Sequence, residues 1–65
     1  MKFTFRLMQE SGVPGPKKTY ETENPDPHPI AMNRVARAWA LGETGHPWDF
    51  LTIEDESGNV REVPR

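Results

Sequence analysis

Residues 29–41, PIAMNRVARAWAL, decide the fold, because they form the stretch of this chain with sustained helical periodicity. At about 100° per residue, apolar side chains collect on one broad face and polar side chains on the other. The predicted apolar face carries Ala31, Met32, Val35, Ala36, Ala38 and Trp39, and the predicted polar face carries Asn33, Arg34 and Arg37. The sequence therefore predicts a helix over 29–41 that buries one side against the rest of the chain.

Both ends of this helix are signalled in the sequence. Pro29 suits the first helical position, where its missing N–H costs nothing, and Gly42 suits a left-handed residue just past the end. Before the helix, residues 24–29 have the sequence NPDPHP. Proline at every second position restricts each preceding residue to extended geometry, so this segment is predicted to be a stiff lead-in to the helix.

Two strands are predicted before the helix. In residues 2–8, KFTFRLM, aromatic and aliphatic side chains alternate with polar ones, which is the period of a half-buried strand. Residues 10–16, ESGVPGP, contain two glycines and two prolines and are predicted to be an irregular loop that reverses the chain. Residues 17–23, KKTYETE, then predict a second strand, placed at a sheet edge because its charges protect unpaired backbone groups.

A hairpin is predicted after the helix, with strands over residues 49–55 and 60–63. Between them, Asp-Glu-Ser-Gly at 55–58 suits a type I turn with Asp first and Gly fourth, the usual centre of a three-residue hairpin loop with a bulge. This register sets Leu51 opposite Val63. A two-residue loop would instead place apolar residues opposite acidic ones, so the bulged hairpin is preferred.

These elements predict one α+β domain over residues 1–65, a small ββαββ fold with a four-stranded sheet and the helix packed on one face. The side chains predicted to face the helix are Phe3, Phe5, Leu7, Leu51, Ile53 and Val63. The first and last strands are taken as the longer ones and therefore as central neighbours. A right-handed crossover through the helix then favours the strand order 2-1-4-3, with the first and fourth strands parallel. This arrangement resembles the β-grasp architecture in outline, although no motif in the chain points to a family.

Composition limits the classes of function. The chain has 65 residues, of which 34% are hydrophobic and 28% charged, which suits one domain with a thin core. It contains no cysteine, and its segment MKFTFRLMQE lacks the apolar run of a signal peptide or a membrane span, so a soluble cytoplasmic protein is expected. A net charge of −2 offers no general attraction to phosphate or anionic lipid, so neither nucleic acid nor membrane is the expected partner.

Residues that could carry chemistry are scattered along the sequence. The two histidines are His28, near Asp26, and His46, near Asp49. Two loop histidines with scattered carboxylates do not make the three or four converging ligands that a metal site needs. The acidic run at 54–56 lacks the alternating oxygen pattern of a calcium loop, and no glycine-bearing turn carries a nucleophile or phosphate-loop motif. No metal, cofactor or catalytic residue is therefore predicted, and an enzyme is not expected.

The predicted register leaves a second apolar group outside the core. Strand residues alternate between the two faces of a sheet, so Phe50, Thr52 and Val60 are predicted to point away from the helix. With Trp48 close to the start of the strand, two aromatic groups and a valine would form an exposed patch of the kind that marks an interaction site. The alternative is that Trp48 folds over the sheet edge and caps the core.

The favoured hypothesis is a non-catalytic domain that binds a protein partner, or a second copy of itself as a homodimer. Binding would bury Trp48, Phe50 and Val60 against the partner. The predicted charged rim around this patch consists of Lys2, Arg6, Glu54 and Glu62. Such a rim sets orientation and association rate more than affinity.

Two other functions and one other surface stay open. Aromatic side chains beside Lys2 and Arg6 could stack unpaired bases, as in single-stranded nucleic-acid binders, although two glutamates on the same face would repel phosphate. A small inhibitor or regulator of another protein is the second alternative. The further surface is a ridge on the helix formed by Ile30, Arg34, Arg37 and Leu41. Such a ridge could receive an acidic partner or a second helix.

Overall fold

A four-stranded sheet and one helix make up the architecture, in a computed structural model that describes residues 1–24, 27–43, 45 and 47–65. In chain order the elements are β1 (Lys2–Met8), β2 (Pro14–Glu21), α1 (Pro29–Gly42), β3 (Phe50–Asp55) and β4 (Val60–Pro64). The predicted ββαββ fold of the α+β class is confirmed, and β1 has the bounds that the sequence predicted.

The order of the strands in the sheet differs from the prediction. The observed order is β2-β1-β3-β4, and every neighbouring pair is antiparallel. The predicted order 2-1-4-3, with a parallel pair of first and fourth strands, is therefore wrong. Because β2 and β3 both run antiparallel to β1, they are parallel to each other, and the connection through α1 links the two strands that flank β1. The outline resemblance to the β-grasp architecture does not extend to this sheet.

The number of core side chains that each strand supplies explains this order. β3 buries Leu51 and Ile53, whose side chains are 0% and 3% exposed, so it can occupy a central position beneath the helix. β4 buries Val63 and places the half-buried Arg61 opposite Ile53. A strand with one buried side chain is better suited to the edge of a sheet. Strand length, on which the prediction relied, did not distinguish the two.

β2 begins earlier than predicted, inside the segment predicted to be an irregular loop. It spans Pro14–Glu21, and its first residue pairs with Met8. The register shifts between Arg6 and Met8, which marks a β-bulge that absorbs an extra residue. Gly15 fits tightly against β1, because a Cβ at this position would lie 3.2 Å from the Leu7 carbonyl oxygen. Prolines are tolerated here because β2 is an edge strand.

The hairpin between β3 and β4 has the predicted register. Leu51 lies opposite Val63, and Gly58 has a positive φ of 87°. The Gly58 N–H donates to the Asp55 carbonyl at 3.1 Å, and the Asp55 N–H donates to the Asn59 carbonyl at 3.0 Å. The three-residue loop with a bulge is therefore confirmed.

The N-terminus of α1 is capped by the residue before its first turn. Pro29 begins the helix, as the sequence predicted. The His28 Nδ1 atom accepts a hydrogen bond from the Ile30 N–H at 3.2 Å, and the His28 carbonyl accepts one from the Met32 N–H at 3.1 Å. A histidine predicted to be an unremarkable loop residue therefore fixes the start of the helix.

The C-terminus of α1 differs from the prediction at Gly42. This glycine is the last helical residue, and the C-cap is Glu43 with a φ of −88°. The predicted left-handed glycine past the helix end is therefore wrong. The Glu43 N–H donates to the Ala40 carbonyl at 3.1 Å, and the Glu43 Oε1 atom accepts from the Trp39 indole N–H at 3.0 Å. These two hydrogen bonds hold the helix end without a left-handed residue.

The face of α1 that packs on the sheet is rotated relative to the predicted face. Met32, Ala36 and Ala40 are buried in one row. Three residues that were predicted to be buried are exposed, namely Ala31, Val35 and Ala38. Alanine at 36 and 40 lets the helix backbone approach the sheet closely. The rotation also brings Asn33, predicted to lie on the polar face, into a half-buried position where its Oδ1 atom accepts from Arg61.

The two faces of the sheet have the predicted polarity. The core consists of Phe3, Phe5, Leu7, Met32, Ala36, Ala40, Trp48, Leu51, Ile53 and Val63, which include all six strand side chains that were predicted to face the helix. Tyr20 and Trp39 pack against this cluster, with ring centroids 5.6 Å and 6.1 Å from that of Phe5. The apolar side of the sheet therefore lies beneath α1.

Candidate interaction surface

The side of the sheet that faces away from α1 is called the open face. Residues paired across antiparallel strands project to the same side of a sheet, so the strand registers arrange the open face in rows. In the order β2, β1, β3, β4, the apolar row is Pro14, Met8, Phe50 and Pro64. The charged row is Lys17, Arg6, Thr52 and Glu62. The third row is Thr19, Thr4, Glu54 and Val60, and beyond it Glu21 pairs with Lys2.

Two of the predicted apolar binding residues lie on the open face. Phe50 is half-buried and pairs with the half-buried Met8, while Val60 is 57% exposed in the third row. The sequence reasoning missed Met8, Pro14 and Pro64, which complete the apolar row. Met8 shares the alternation of β1, but its position beside Phe50 follows only from the pairing of β1 with β3.

Trp48 does not lie on the open face, so the prediction that it extends the exposed patch is wrong. Its side chain is 6% exposed and belongs to the core. The guanidinium carbon of Arg65 lies 4.9 Å from the centroid of the Trp48 ring, and Arg65 Nη1 donates to the Trp48 carbonyl at 2.9 Å. The alternative considered from the sequence, in which Trp48 caps the core, is the arrangement in the structure. Trp48 precedes β3, so strand alternation does not fix its direction.

Charged side chains divide the open face by sign. The basic half, on β2 and β1, carries Lys17, Arg6 and Lys2, and the acidic half, on β3 and β4, carries Glu54 and Glu62. Glu21 is the exception, because it lies on β2 opposite Lys2. The four rim residues predicted from the sequence are all on this face, but they form two halves of opposite sign instead of a mixed ring. Lys17 was not predicted, although strand alternation with Tyr20 on the core side of β2 places it on the open face.

The helix ridge that was predicted as a second surface lies on the outside of α1. Ile30 is 58% exposed and Leu41 is 73% exposed. Arg34 is exposed as well, whereas Arg37 Nη2 donates to the Pro64 carbonyl at 3.0 Å. One of the two arginines therefore ties α1 to the end of β4.

The histidine and acidic side chains considered for metal binding have separate positions. His28 caps α1, and the Asp49 carboxylate accepts from the Glu10 N–H at 2.9 Å. His46 and Asp26, which the sequence placed near them, lie outside the described residues. Across residues 1–24, 27–43, 45 and 47–65, no three histidine or acidic side chains converge into a metal-binding group.

Asp55 organises the tip of the β3–β4 hairpin. Its Oδ1 atom accepts from the Ser57 N–H at 2.9 Å and the Asn59 N–H at 3.0 Å, and its Oδ2 atom accepts from the Asn59 side-chain amide at 3.2 Å. The hydrogen bond from the Asn59 backbone contributes most to lowering the pKa of Asp55 below its ordinary value of 3.8. The acidic run at the hairpin tip therefore contains one carboxylate that holds the turn.

A pocket of about 220 Å³ lies between the start of α1 and the β3–β4 hairpin. Its lining includes Phe3, Met32, Ile53, Asp55 and Arg61. Arg61 Nη2 donates to the Pro29 carbonyl at 3.3 Å, and Arg61 Nη1 donates to Asn33 Oδ1. Because Arg61 and Asp55 are already hydrogen-bonded within the chain, they are engaged in holding the fold and do not point to a ligand.

Comparisons with known proteins provide no relative for this chain. No protein-family model matches it, and no curated protein or solved structure matches it significantly. In the part of the chain that the structure describes, no helix is long and apolar enough to cross a membrane. The open face is thus the feature from which function is inferred.

Proposed function

We propose that this chain is a small non-catalytic domain that binds protein through the open face of its sheet. The observation that carries the proposal is the apolar row, in which the side chains of Phe50 and Met8 lie side by side on the face away from α1. Contiguous apolar side chains on a protein surface mark interaction sites more often than isolated ones do. Val60, which is 57% exposed, adds a second apolar contact on the same face.

Burial of the apolar row would supply the affinity of this binding, at about 25 cal/mol for each Å² of apolar area removed from water. The charged side chains in the neighbouring rows would orient the partner and exclude wrong ones. A cytoplasmic location is part of the proposal, because a chain without cysteine does not depend on an oxidising compartment.

Protein fits the open face better than single-stranded nucleic acid does. With Trp48 in the core, Phe50 is the aromatic side chain that remains on this face, whereas base stacking typically uses several. Glu54 and Glu62 place negative charge where phosphates would lie. An inhibitor or regulator of another protein would use the same kind of surface. Identifying the bound protein distinguishes such a role from self-association.

Photo-cross-linking at two neighbouring positions of β2 tests the proposal. Thr19 lies on the open face, and Lys18 pairs with Phe5 on the side that faces α1. A photoreactive amino acid at either position is irradiated in cells that produce the protein. We expect protein adducts at position 19 and none at position 18. Adducts at position 18 alone, or adducts at position 19 that return to the mass of the free chain on nuclease treatment, would overturn the proposal.

A further inference from the structure

We propose that the protein bound at the open face is a second copy of this chain, related to the first by a two-fold axis parallel to the strands and between β1 and β3. This inference rests on the proposed function, because it names the partner for the same face. The observation that carries it is the arrangement of the rows, in which apolar side chains and opposite charges occupy positions that complement themselves under this rotation.

Two sheets that meet face to face as identical copies are related by a two-fold axis that lies in their interface. If the axis is parallel to the strands, it exchanges the two edges of the sheet. β2 of one copy then faces β4 of the other, and each row faces itself in reverse order. If the axis is perpendicular to the strands in the same plane, it exchanges the two ends of every strand. Each strand then faces its own counterpart.

The two ends of the charged row are complementary when the axis is parallel to the strands, while Arg6 lies opposite Thr52. Lys17 at the β2 edge then lies opposite Glu62 of the second copy, because these residues are the two ends of the same row. In the third row, Thr4 lies opposite Glu54, so a hydroxyl is available to that carboxylate. The rotation makes each contact occur twice. Opposite charges therefore meet at both edges of the interface.

The perpendicular axis gives no such match. It would bring β2 and β1 against the same strands of the second copy, so that Lys17 of one copy lies at the opposite edge of the interface from Glu62 of the other. It would also turn the apolar row toward the end of the sheet that carries Lys2 and Glu21. Charged groups would then be buried against apolar ones, which is unfavourable. The rows therefore select the parallel axis.

The apolar row supplies the contact area of this dimer. Under the parallel axis, Phe50 lies against Met8 of the second copy and Pro14 lies against Pro64, so that apolar side chains meet along the whole row. The face is small, because four strands spaced by about 4.8 Å place the outer strands only about 14 Å apart. Such an interface belongs to the smaller size class, so the dimer is expected to exchange with monomer as protein concentration changes.

Reversal of charge at the two ends of the charged row tests the axis. Both K17E and E62K turn the two symmetric Lys17–Glu62 contacts into contacts between like charges, so each variant should raise the dimer dissociation constant about tenfold. An equimolar mixture of the two variants should form a heterodimer with the affinity of the wild type, because the mixture pairs opposite charges at both contacts. Sedimentation equilibrium at low ionic strength measures all three constants.

K18E is the matched control for these variants. It changes the net charge by the same amount as K17E, on the same strand, but Lys18 pairs with Phe5 on the side of the sheet that faces α1. The dissociation constant of K18E should equal that of the wild type. Equal weakening by K18E and K17E would show that net charge controls association, and it would overturn the proposed contact.

The remaining outcomes separate this inference from the proposed function. Dimerisation that K17E and E62K leave unchanged, or that their mixture does not restore, would overturn the parallel axis. A wild-type chain that stays monomeric up to about 1 mM would overturn the second copy as the occupant. If the chain is monomeric, adducts of a different protein at Thr19 would still support the proposed function. The lack of any adduct at Thr19 would overturn the proposed function too.

Discussion

Adjacent residues of β3 lie on opposite faces of the sheet, one of which contributes to stability and the other to association. Leu51 and Ile53 are sealed beneath α1, with 0% and 3% of their side chains exposed. Their neighbours Phe50 and Thr52 are half-buried on the open face. Because successive strand residues point to opposite sides, the two sets can change with little effect on each other. Substitutions on the covered face should therefore alter the free energy of unfolding, and substitutions on the open face should alter association.

The largest test of this division compares Trp48 with Phe50, two aromatic residues that the sequence placed on the same face. Trp48→Ala removes a buried indole from the core and is expected to lower the free energy of unfolding by about 3–5 kcal/mol. Phe50→Ala should cost less than half as much, because the Phe50 ring is only half-buried, and it should weaken dimerisation. Urea unfolding followed by circular dichroism measures both stabilities. Equal losses at the two positions would contradict the division of the faces.

A smaller effect is expected at the two glycines that end α1 and the β3–β4 loop. A Cβ at Gly42 would meet nothing within 4 Å in a helical backbone, so Gly42→Ala is expected to stabilise the fold by about 0.4–1 kcal/mol. A Cβ at Gly58 would also meet nothing, but its φ is 87°, so Gly58→Ala should destabilise by about 1–2 kcal/mol. Thermal unfolding measures both changes. Destabilisation by Gly42→Ala would instead favour the left-handed helix cap that the sequence predicted.

The smallest effect concerns Asp55, which keeps β3 and β4 in the register that separates the two faces. Because its pKa is lowered in the folded state, the stability from the carboxylate is full above the unfolded pKa of about 3.8. That stability is lost as the pH falls through the lower pKa of the folded state. The stability difference between the wild type and Asp55→Asn should therefore be constant from about pH 5 to pH 7 and shrink below about pH 4. A difference that stays constant down to pH 2 would contradict the role of the charge.

Local patterns in the sequence were sufficient to predict the division of the sheet faces. Alternation along β1 and β3 identified the buried strand residues, and the turn chemistry around Gly58 identified the hairpin register. Both features depend on residues close together in the chain. The same alternation and register correctly predicted that Phe50 and Val60 of the candidate site lie on the open face.

The parts that were predicted wrongly depend on contacts between distant residues. The strand order follows from how many side chains β3 and β4 contribute beneath α1, which the length of each strand did not indicate. The rotation of α1 depends on how closely Ala36 and Ala40 approach the sheet. Periodicity alone predicted burial of Val35 just as it predicted burial of these alanines. Trp48 lies outside a strand, so alternation could not assign it to a face. The contact of Arg65 with its ring had no signal in the sequence.

The prolines on both outer strands affect how the molecule behaves when it is concentrated. Pro14 on β2 and Pro64 on β4 lack the N–H groups that an incoming strand would need. Lateral polymerisation of the sheet, the route by which exposed edges seed cross-β fibrils, is therefore obstructed at both margins. In concentrated solutions we expect molecules to associate through the faces of their sheets. We do not expect them to associate through backbone hydrogen bonds between the edge strands of neighbouring molecules.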